Sequence, residues 1–214
     1  HLTSRMLRIA LPLAFSAYAR SALSTLEHLL VPRGLKSAGF SADRALSGYG
    51  TIQGMVMPII SFPACFLMAL SELMIPELTE AQMRGERAEI SHTVRSLLKK
   101  GSGYSLAVAL AIFIFADRLG IAVYSSPEAG HFLRLLAPLI PIMYTDMLCD
   151  GCLKGLGQQM WNMGINVLDA LLGVLLVWRV LPVYALTGYI CIIYFNECLN
   201  FALSMLRLGK VIRS

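Results

Sequence analysis

The sequence predicts an all-α integral membrane protein with six transmembrane helices. Of its 214 residues, 57% are hydrophobic and only 14% are charged, whereas soluble proteins contain about 25% charged residues. Mean hydropathy is +0.66. Six apolar stretches fill most of the chain, and a helix needs about 20 apolar residues to cross the hydrocarbon core of a bilayer. The connections between the stretches leave no room for a soluble catalytic domain.

Residues that end helices separate the six predicted spans. Pro32 follows the first span and Pro76 the second, a Ser-Ser-Pro sequence follows the third, and an Asp-Gly pair lies at the end of the fourth. Proline ends or kinks a helix because it has no N–H to donate. Trp161 and Tyr184 mark the starts of the fifth and sixth spans, since amphipathic rings anchor at the headgroup level. The spans cover approximately residues 7–31, 45–75, 103–124, 128–153, 161–180 and 184–206.

Two further features concern the spans and the longest connection. Prolines inside the spans predict kinks, because each one removes a backbone hydrogen bond. The most polar stretch, residues 77–100, alternates acidic and basic residues at i,i+3 and i,i+4 spacing, which predicts an amphipathic surface helix on the membrane face. The span prolines are Pro12, Pro58, Pro63, Pro138 and Pro141.

The distribution of Lys and Arg predicts the orientation in the membrane. If the N-terminus is cytoplasmic, 11 of the 18 basic residues fall on the inner side and five on the outer side, with Arg20 and Arg134 inside spans. Cytoplasmic loops are enriched in Lys and Arg, so we expect both ends of the chain in the cytoplasm. The basic residues flank apolar spans and form no basic face with interleaved aromatics, which argues against nucleic-acid binding.

Charged residues inside spans are the candidates for function, because insertion of each costs roughly 2.5–3.5 kcal/mol. Arg20 lies near the middle of its span and suits an anionic group such as a phosphate; a buried ion pair with Asp146 or Asp169 is the alternative. The candidate residues lining a substrate cavity are Arg20, Glu27, Asp146, Asp150, Asp169 and Glu197.

The acidic candidates allow two interpretations. Asp146 and Asp150 share a helix face, where mutual repulsion makes proton or cation coupling plausible; Lys154, one turn further on, would instead neutralise a pair near the interface. Asp169 and Glu197 each lie in a stripe with asparagines, and such stripes hold helices together more often than they bind substrate. The asparagines are Asn162 and Asn166 beside Asp169, and Asn196 and Asn200 beside Glu197.

Motifs for enzymatic chemistry are absent from the sequence. It contains no H-E-x-x-H sequence and no Ser/His/Asp arrangement that stands out. Cys149 and Cys152 form a C-x-x-C, yet it lies in an apolar span without the βαβ context of a redox site or the further ligands of a zinc site. We therefore expect no catalytic residue, no metal site and no enzyme activity.

Four segments resemble one branch of a known superfamily. They are residues 49–58, 62–78, 135–141 and 150–159, and they include Gly50, Gly54, Pro58, Asp150 and Gly151. These motifs resemble the stage V sporulation protein B-like branch of the multidrug/oligosaccharidyl-lipid/polysaccharide exporter superfamily, whose fold is MATE-like. The resemblance extends over essentially the whole chain.

The resemblance implies a fold and a function. Full-length members have twelve or more spans in two six-helix lobes, so residues 1–214 would be the C-terminal lobe of a MATE-like transporter, and the start at His1 leads us to expect a fragment without its N-terminal lobe. The family implies flipping of a lipid-linked oligosaccharide or peptidoglycan precursor by alternating access, in a bacterial plasma membrane, in polysaccharide, cell-wall or sporulation metabolism. Membrane lipids, the lipid-linked sugar and the N-terminal lobe would be its partners.

The same superfamily includes a second possible function with a related transport mechanism. A proton- or sodium-coupled multidrug exporter would use acidic residues such as Asp146, Asp150 or Asp169 for the cation or the drug. No cofactor is expected other than a coupling ion, H⁺ or Na⁺. A membrane-embedded transferase or a structural scaffold is favoured least, since neither explains so many intramembrane charges.

Overall fold

The computed structural model describes residues 2–37 and 42–213. Within these ranges the chain is helical apart from short turns, with no strand, which confirms the all-α prediction. A π-helix, Ile52–Val56, joins α2 to α3, and a 3₁₀ turn, Ala137–Leu139, joins α5 to α6. The α-helices are α1 (Leu2–Ser37), α2 (Ala42–Thr51), α3 (Met57–Arg84), α4 (Arg87–Tyr124), α5 (Pro127–Leu136), α6 (Ile140–Gly155) and α7 (Gln159–Arg213).

Four helices of the described chain are long and apolar enough to cross a membrane. They are Leu46–Arg84, Arg87–Tyr124, Pro127–Gly155 and Gln159–Arg213. The first three contain the second, third and fourth predicted spans. This finding does not show six separate spans, because α1 is not among the four and the fifth and sixth predicted spans lie on the single helix α7.

Helix α7 consists of two legs that meet at a sharp turn. Ala185 has non-helical angles (φ 49°, ψ −132°), and Pro182 precedes it. A Cβ placed on Gly173 would lie 3.0 Å from Nδ2 of Asn196, although 23 residues of straight helix would span about 35 Å. The legs, residues 159–184 and 186–213, therefore fold back on each other, and the turn lies next to the predicted boundary between the fifth and sixth spans.

The described residues divide into two compact units. Unit 1 contains the chain up to Ala45 together with Gln158–Asn200, and unit 2 contains Leu46–Gly157 together with the chain from Phe201 onward. The second leg of α7 thus contributes residues to both units.

The core of unit 2 is formed by α3, α4, α5 and α6, which pack through small residues and buried tyrosine. A Cβ on Gly151 would lie 1.7 Å from Oγ of Ser71, so α6 and α3 approach more closely than larger side chains would allow, as is common in membrane proteins. Tyr144 donates a hydrogen bond of 2.5 Å to the carbonyl of Ile60. Fully buried side chains of this core include Leu67, Leu78, Leu133, Leu136, Leu139, Ile140, Leu148 and Leu153.

The charged stretch 77–100 does not form the surface helix that its charge pattern predicts. Gly85 adopts a left-handed conformation (φ 73°) that ends α3, and its N–H donates back to the carbonyls of Ala81 and Gln82. Helix α4 then begins at Arg87. The prediction was wrong because the spacing of charges reports the helical state but not its direction, whereas a glycine after the last helical residue reverses the chain. One predicted i,i+4 ion pair, Arg84 with Glu80, is present.

Candidate functional site

A polar cleft in unit 1 lies between α1 and the first leg of α7. Its volume is about 440 Å³. Pairs of residues four apart on one face of α1 form one wall, and three residues near the start of α7 form the other. The lining residues are Ser16, Ala17, Arg20, Ser21, Ser24 and Thr25 from α1, and Met163, Asn166 and Val167 from α7.

Hydroxyl groups surround Arg20 on its own helix. Ser16 and Ser24 lie one turn before and one turn after it, and Ser21 and Thr25 lie beside that row. The Thr25 hydroxyl donates to the Ser21 carbonyl at 2.9 Å, a local bond that lets a hydroxyl side chain reside in a helix. These hydroxyls are not among the sequence-predicted candidates, which were selected by their charge; their i,i+4 spacing around Arg20 was the signal that would have found them.

Arg20 itself is exposed to the cleft. It is close enough to Asp169 for mutual attraction, yet it forms no ion pair within 4.0 Å with a residue that the structure describes. Arg20 and Asp169 therefore attract each other at longer range but do not form the direct ion pair considered as the alternative. A guanidinium carries five hydrogen-bond donors.

The opposite wall carries an ordered amide. Asn162 is only 2% exposed, and Nδ2 of Asn166 donates to its carbonyl at 2.9 Å and to its Oδ1 at 3.1 Å. These two bonds fix the Asn166 side chain at the edge of the cleft. Of the two asparagines in the predicted stripe, Asn166 therefore lines the cleft and Asn162 holds its side chain in place.

A second polar group lies about two turns from Arg20, where α1 and both legs of α7 meet. A Cβ on Gly173 would lie 3.0 Å from Nδ2 of Asn196 and 3.3 Å from Oε2 of Glu27. Asp169, one turn before Gly173, is repelled by Glu27 and attracted by Arg20. Buried Oδ1 atoms of Asp169 and Asn196 have no hydrogen-bond partner among the described residues. Two carboxylates and an amide oxygen are suitable ligands for a proton or a hard cation.

The six candidates divide between the two units. Arg20, Glu27 and Asp169 come together in unit 1. Asp146 and Asp150 lie on α6 in unit 2, where Asp146 is 6% exposed and both residues take part in interactions.

Glu197 lies next to Asn196 on the second leg of α7, half-buried and engaged in an interaction of its own. In the described part of the chain, no group of three or more His, Cys, Asp or Glu side chains is placed to hold a metal ion. Cys149 and Cys152 are buried free thiols.

One structural charge pair was also missed. Arg134 of α5 donates to Asp117 of α4 at 2.6 Å, and its guanidinium lies 6.0 Å from the ring of Phe113. Arg134 lies inside a predicted span, and the sequence predicted no partner for it. The short connection between α4 and α5 was the available signal, because it places the end of one helix beside the start of the next.

Comparison with known proteins gives a family and two relatives. The MatE family model matches residues 37–178. The chain is 28% identical over 153 residues to sporulation protein YkvU of Bacillus subtilis (strain 168), covering 72% of this chain and 34% of YkvU. It is 22% identical over 175 residues to stage V sporulation protein B of the same organism, covering 80% of this chain and 32% of that protein. The chain thus spans about a third of the length of these curated relatives, and no solved structure matches it.

Proposed function

Since the chain belongs to the MatE family, we propose that it is part of a membrane exporter that flips a lipid-linked oligosaccharide or peptidoglycan precursor by alternating access. The multi-pass membrane character follows from its long apolar helices and its family. Both relatives are named as sporulation proteins, and we propose a related role in cell-wall or polysaccharide synthesis in a bacterial plasma membrane. Flipping makes and breaks no covalent bond, so the proposal assigns a transporter rather than an enzyme and names no catalytic residue.

The observation that carries the proposal is the unpaired guanidinium of Arg20 in a hydroxyl-lined cleft. A guanidinium binds phosphate oxygens through two parallel hydrogen bonds, and Ser16, Ser24 and Asn166 offer further polar groups. The cleft volume of about 440 Å³ lies within the range of sites for small molecules. The phosphate and first sugar of the substrate would bind here, while the apolar tail stays in the lipid.

The architecture of the whole transporter is a further part of the proposal. We place residues 1–214 as a C-terminal lobe of six spans, made of α1, the helix from Leu46, α4, the helix from Pro127 and the two legs of α7. The coverage of about a third of each relative supports an additional N-terminal lobe as partner. Both ends of this segment are proposed to be cytoplasmic, because basic residues are more numerous on that side.

A second candidate function is a proton- or sodium-coupled multidrug exporter. The polar group of Glu27, Asp169 and Asn196 favours it, because carboxylates that repel each other bind a proton or a cation. If the protein is a flippase instead, the same group would bind its coupling ion. Asp169→Asn would then abolish the dependence of transport on the ion gradient while leaving the binding of a lipid-linked sugar unchanged.

The decisive experiment compares Arg20→Ala with Arg33→Ala, an exposed arginine on the same helix, in the full-length protein. We would titrate a polyprenyl-diphosphate sugar lipid by native mass spectrometry and measure flipping of a fluorescent analogue in proteoliposomes. Hydrogen bonds to charged groups contribute about 1.5–3 kcal/mol, so Arg20→Ala should bind roughly 10- to 100-fold more weakly and Arg33→Ala normally. Equal binding by the two variants would refute the assignment of Arg20 to the headgroup site. Preferential transport of drugs by the wild type would favour the multidrug exporter.

A further inference from the structure

A basic cleft in unit 2 lies between the first turns of α4 and the end of α7. Its volume is about 520 Å³, and Arg95, Lys99 and Arg213 line it together with Ser91 and Ser102. A neighbouring cavity of about 570 Å³ shares Arg213 and adds Lys210. The two cavities form one surface, called here the basic cleft. None of its residues belongs to the polar cleft of unit 1.

The charges of the basic cleft are uncompensated. Neither cavity is lined by an acidic side chain, and the four cations make no ion pair with any residue in the part of the chain that the structure covers. Arg95 and Lys99 are four residues apart on α4, and Lys210 and Arg213 are three apart on α7. Like charges at these spacings destabilise a helix, so an anion bound among them would relieve the repulsion.

The position of the basic cleft along α4 matches the headgroup level of a bilayer. The 38 residues of α4 span about 57 Å, nearly twice the hydrocarbon thickness of about 30 Å. The apolar part of α4 is residues 103–124, so residues 87–102 extend past the hydrocarbon. Beside the cations, Met205 and Leu206 are exposed apolar side chains in the lining.

We propose that the basic cleft binds the headgroup of an anionic phospholipid as a resident lipid rather than as cargo. Arg95, Lys99 and Arg213 would hold the phosphate, with the Ser91 and Ser102 hydroxyls as additional donors. The acyl chains would lie along Met205 and Leu206. Charge complementarity selects an anionic headgroup over a zwitterionic one, and the apolar border selects a lipid over free phosphate.

The test uses the full-length protein, delipidated in a non-ionic detergent and titrated with phosphatidylglycerol or phosphatidylcholine by native mass spectrometry. A triple variant, Arg95→Gln/Lys99→Gln/Arg213→Gln, removes three cations of the cleft. The matched control, Arg87→Gln/Lys100→Gln/Lys154→Gln, removes three exposed cations outside it.

The wild type and the control should retain phosphatidylglycerol in preference to phosphatidylcholine. The cleft variant should bind phosphatidylglycerol about 100-fold more weakly, because each basic residue near a membrane surface contributes about a fivefold factor. Equal affinity of the wild type for the two lipids, or equal losses in both triple variants, would overturn the proposal. So would displacement of the lipid by inorganic phosphate at equal concentration, which would assign the cleft to a soluble anion. If the cleft variant fails to fold, the lipid preference of the wild type and the affinity of the single variant Arg213→Gln test the proposal instead. That variant should bind phosphatidylglycerol about fivefold more weakly, and unchanged affinity would overturn the proposal.

Discussion

Replacing Gly120 with alanine should destabilise the packing of α4 on α5. A Cβ at this position would lie 2.5 Å from the backbone nitrogen of Gly130 and 2.8 Å from the carbonyl oxygen of Ser126. Backbone atoms cannot rotate away as a flexible side chain can, so α5 must move by about 1 Å to restore van der Waals separation. Overpacking of this kind costs roughly 1–3 kcal/mol, which exceeds the 0.5–1 kcal/mol that alanine contributes in a helix.

With that contribution subtracted, we expect Gly120→Ala to lower the free energy of unfolding by about 1 kcal/mol and the Tm by about 2–4 °C. The control is Gly103→Ala on the same helix, where a Cβ would have no atom within 4 Å, so the Tm should rise by about 1–4 °C. Heating in detergent with a thiol-reactive dye reports the exposure of buried Cys149 and Cys152 in the same unit. A Tm for Gly120→Ala equal to or above that of Gly103→Ala would refute the close approach of α4 and α5.

Two further substitutions test other contacts with the same assay. Tyr144→Phe removes the hydroxyl that donates to Ile60, and since such a bond contributes about 0.5–1.5 kcal/mol, the Tm should fall by about 1–6 °C; an unchanged Tm would mean that the bond is not formed. Gly85→Ala places a side chain at φ 73°, which costs about 1–2 kcal/mol and should lower the Tm by about 2–8 °C, whereas Gly85→Asn should lose less because asparagine tolerates this conformation. Equal losses for alanine and asparagine would show that Gly85 matters for another reason.

The helices themselves could be predicted from composition and apolar stretches, because hydrocarbon-spanning segments must satisfy their own backbone hydrogen bonds. The turn at Ala185 lies close to the predicted boundary between the fifth and sixth spans. The chain is apolar on both sides of Pro182, so the boundary followed from length: the apolar stretch is too long for a single crossing of the membrane. The turn at Gly85 was missed although a glycine after a basic residue is a recognised helix end. The alternating charges around it drew the interpretation toward one continuous helix.

The candidate site was predictable in part. Arg20 and Asp169 were named from their charge alone, and the structure brings them into one polar region of unit 1. The placement of the α1 serines in a cleft, and the approach of Glu27 and Asn196 to Gly173, depend on which helices pack together. Helix α1 and the first leg of α7 are more than 120 residues apart in the chain. A single sequence contains no signal for that pairing, so the spacing of the serines could indicate a polar face of α1 but not the helix that faces it.

The structure separates charges that the sequence treats alike. Arg134 and Arg20 both lie in predicted spans, where a charge is expensive and therefore expected to serve a function. Arg134 has Asp117 at 2.6 Å and an aromatic ring beside it, so its partner is supplied by the fold and the pair connects α4 with α5. Arg20 has an attractive carboxylate at longer range but no ion-pair partner among the described residues. The guanidinium of Arg20 thus lies in a cleft lined with hydroxyls without an ion-pair partner among the described residues, and this difference from Arg134 is why we propose Arg20, and not Arg134, as the group that binds the substrate phosphate.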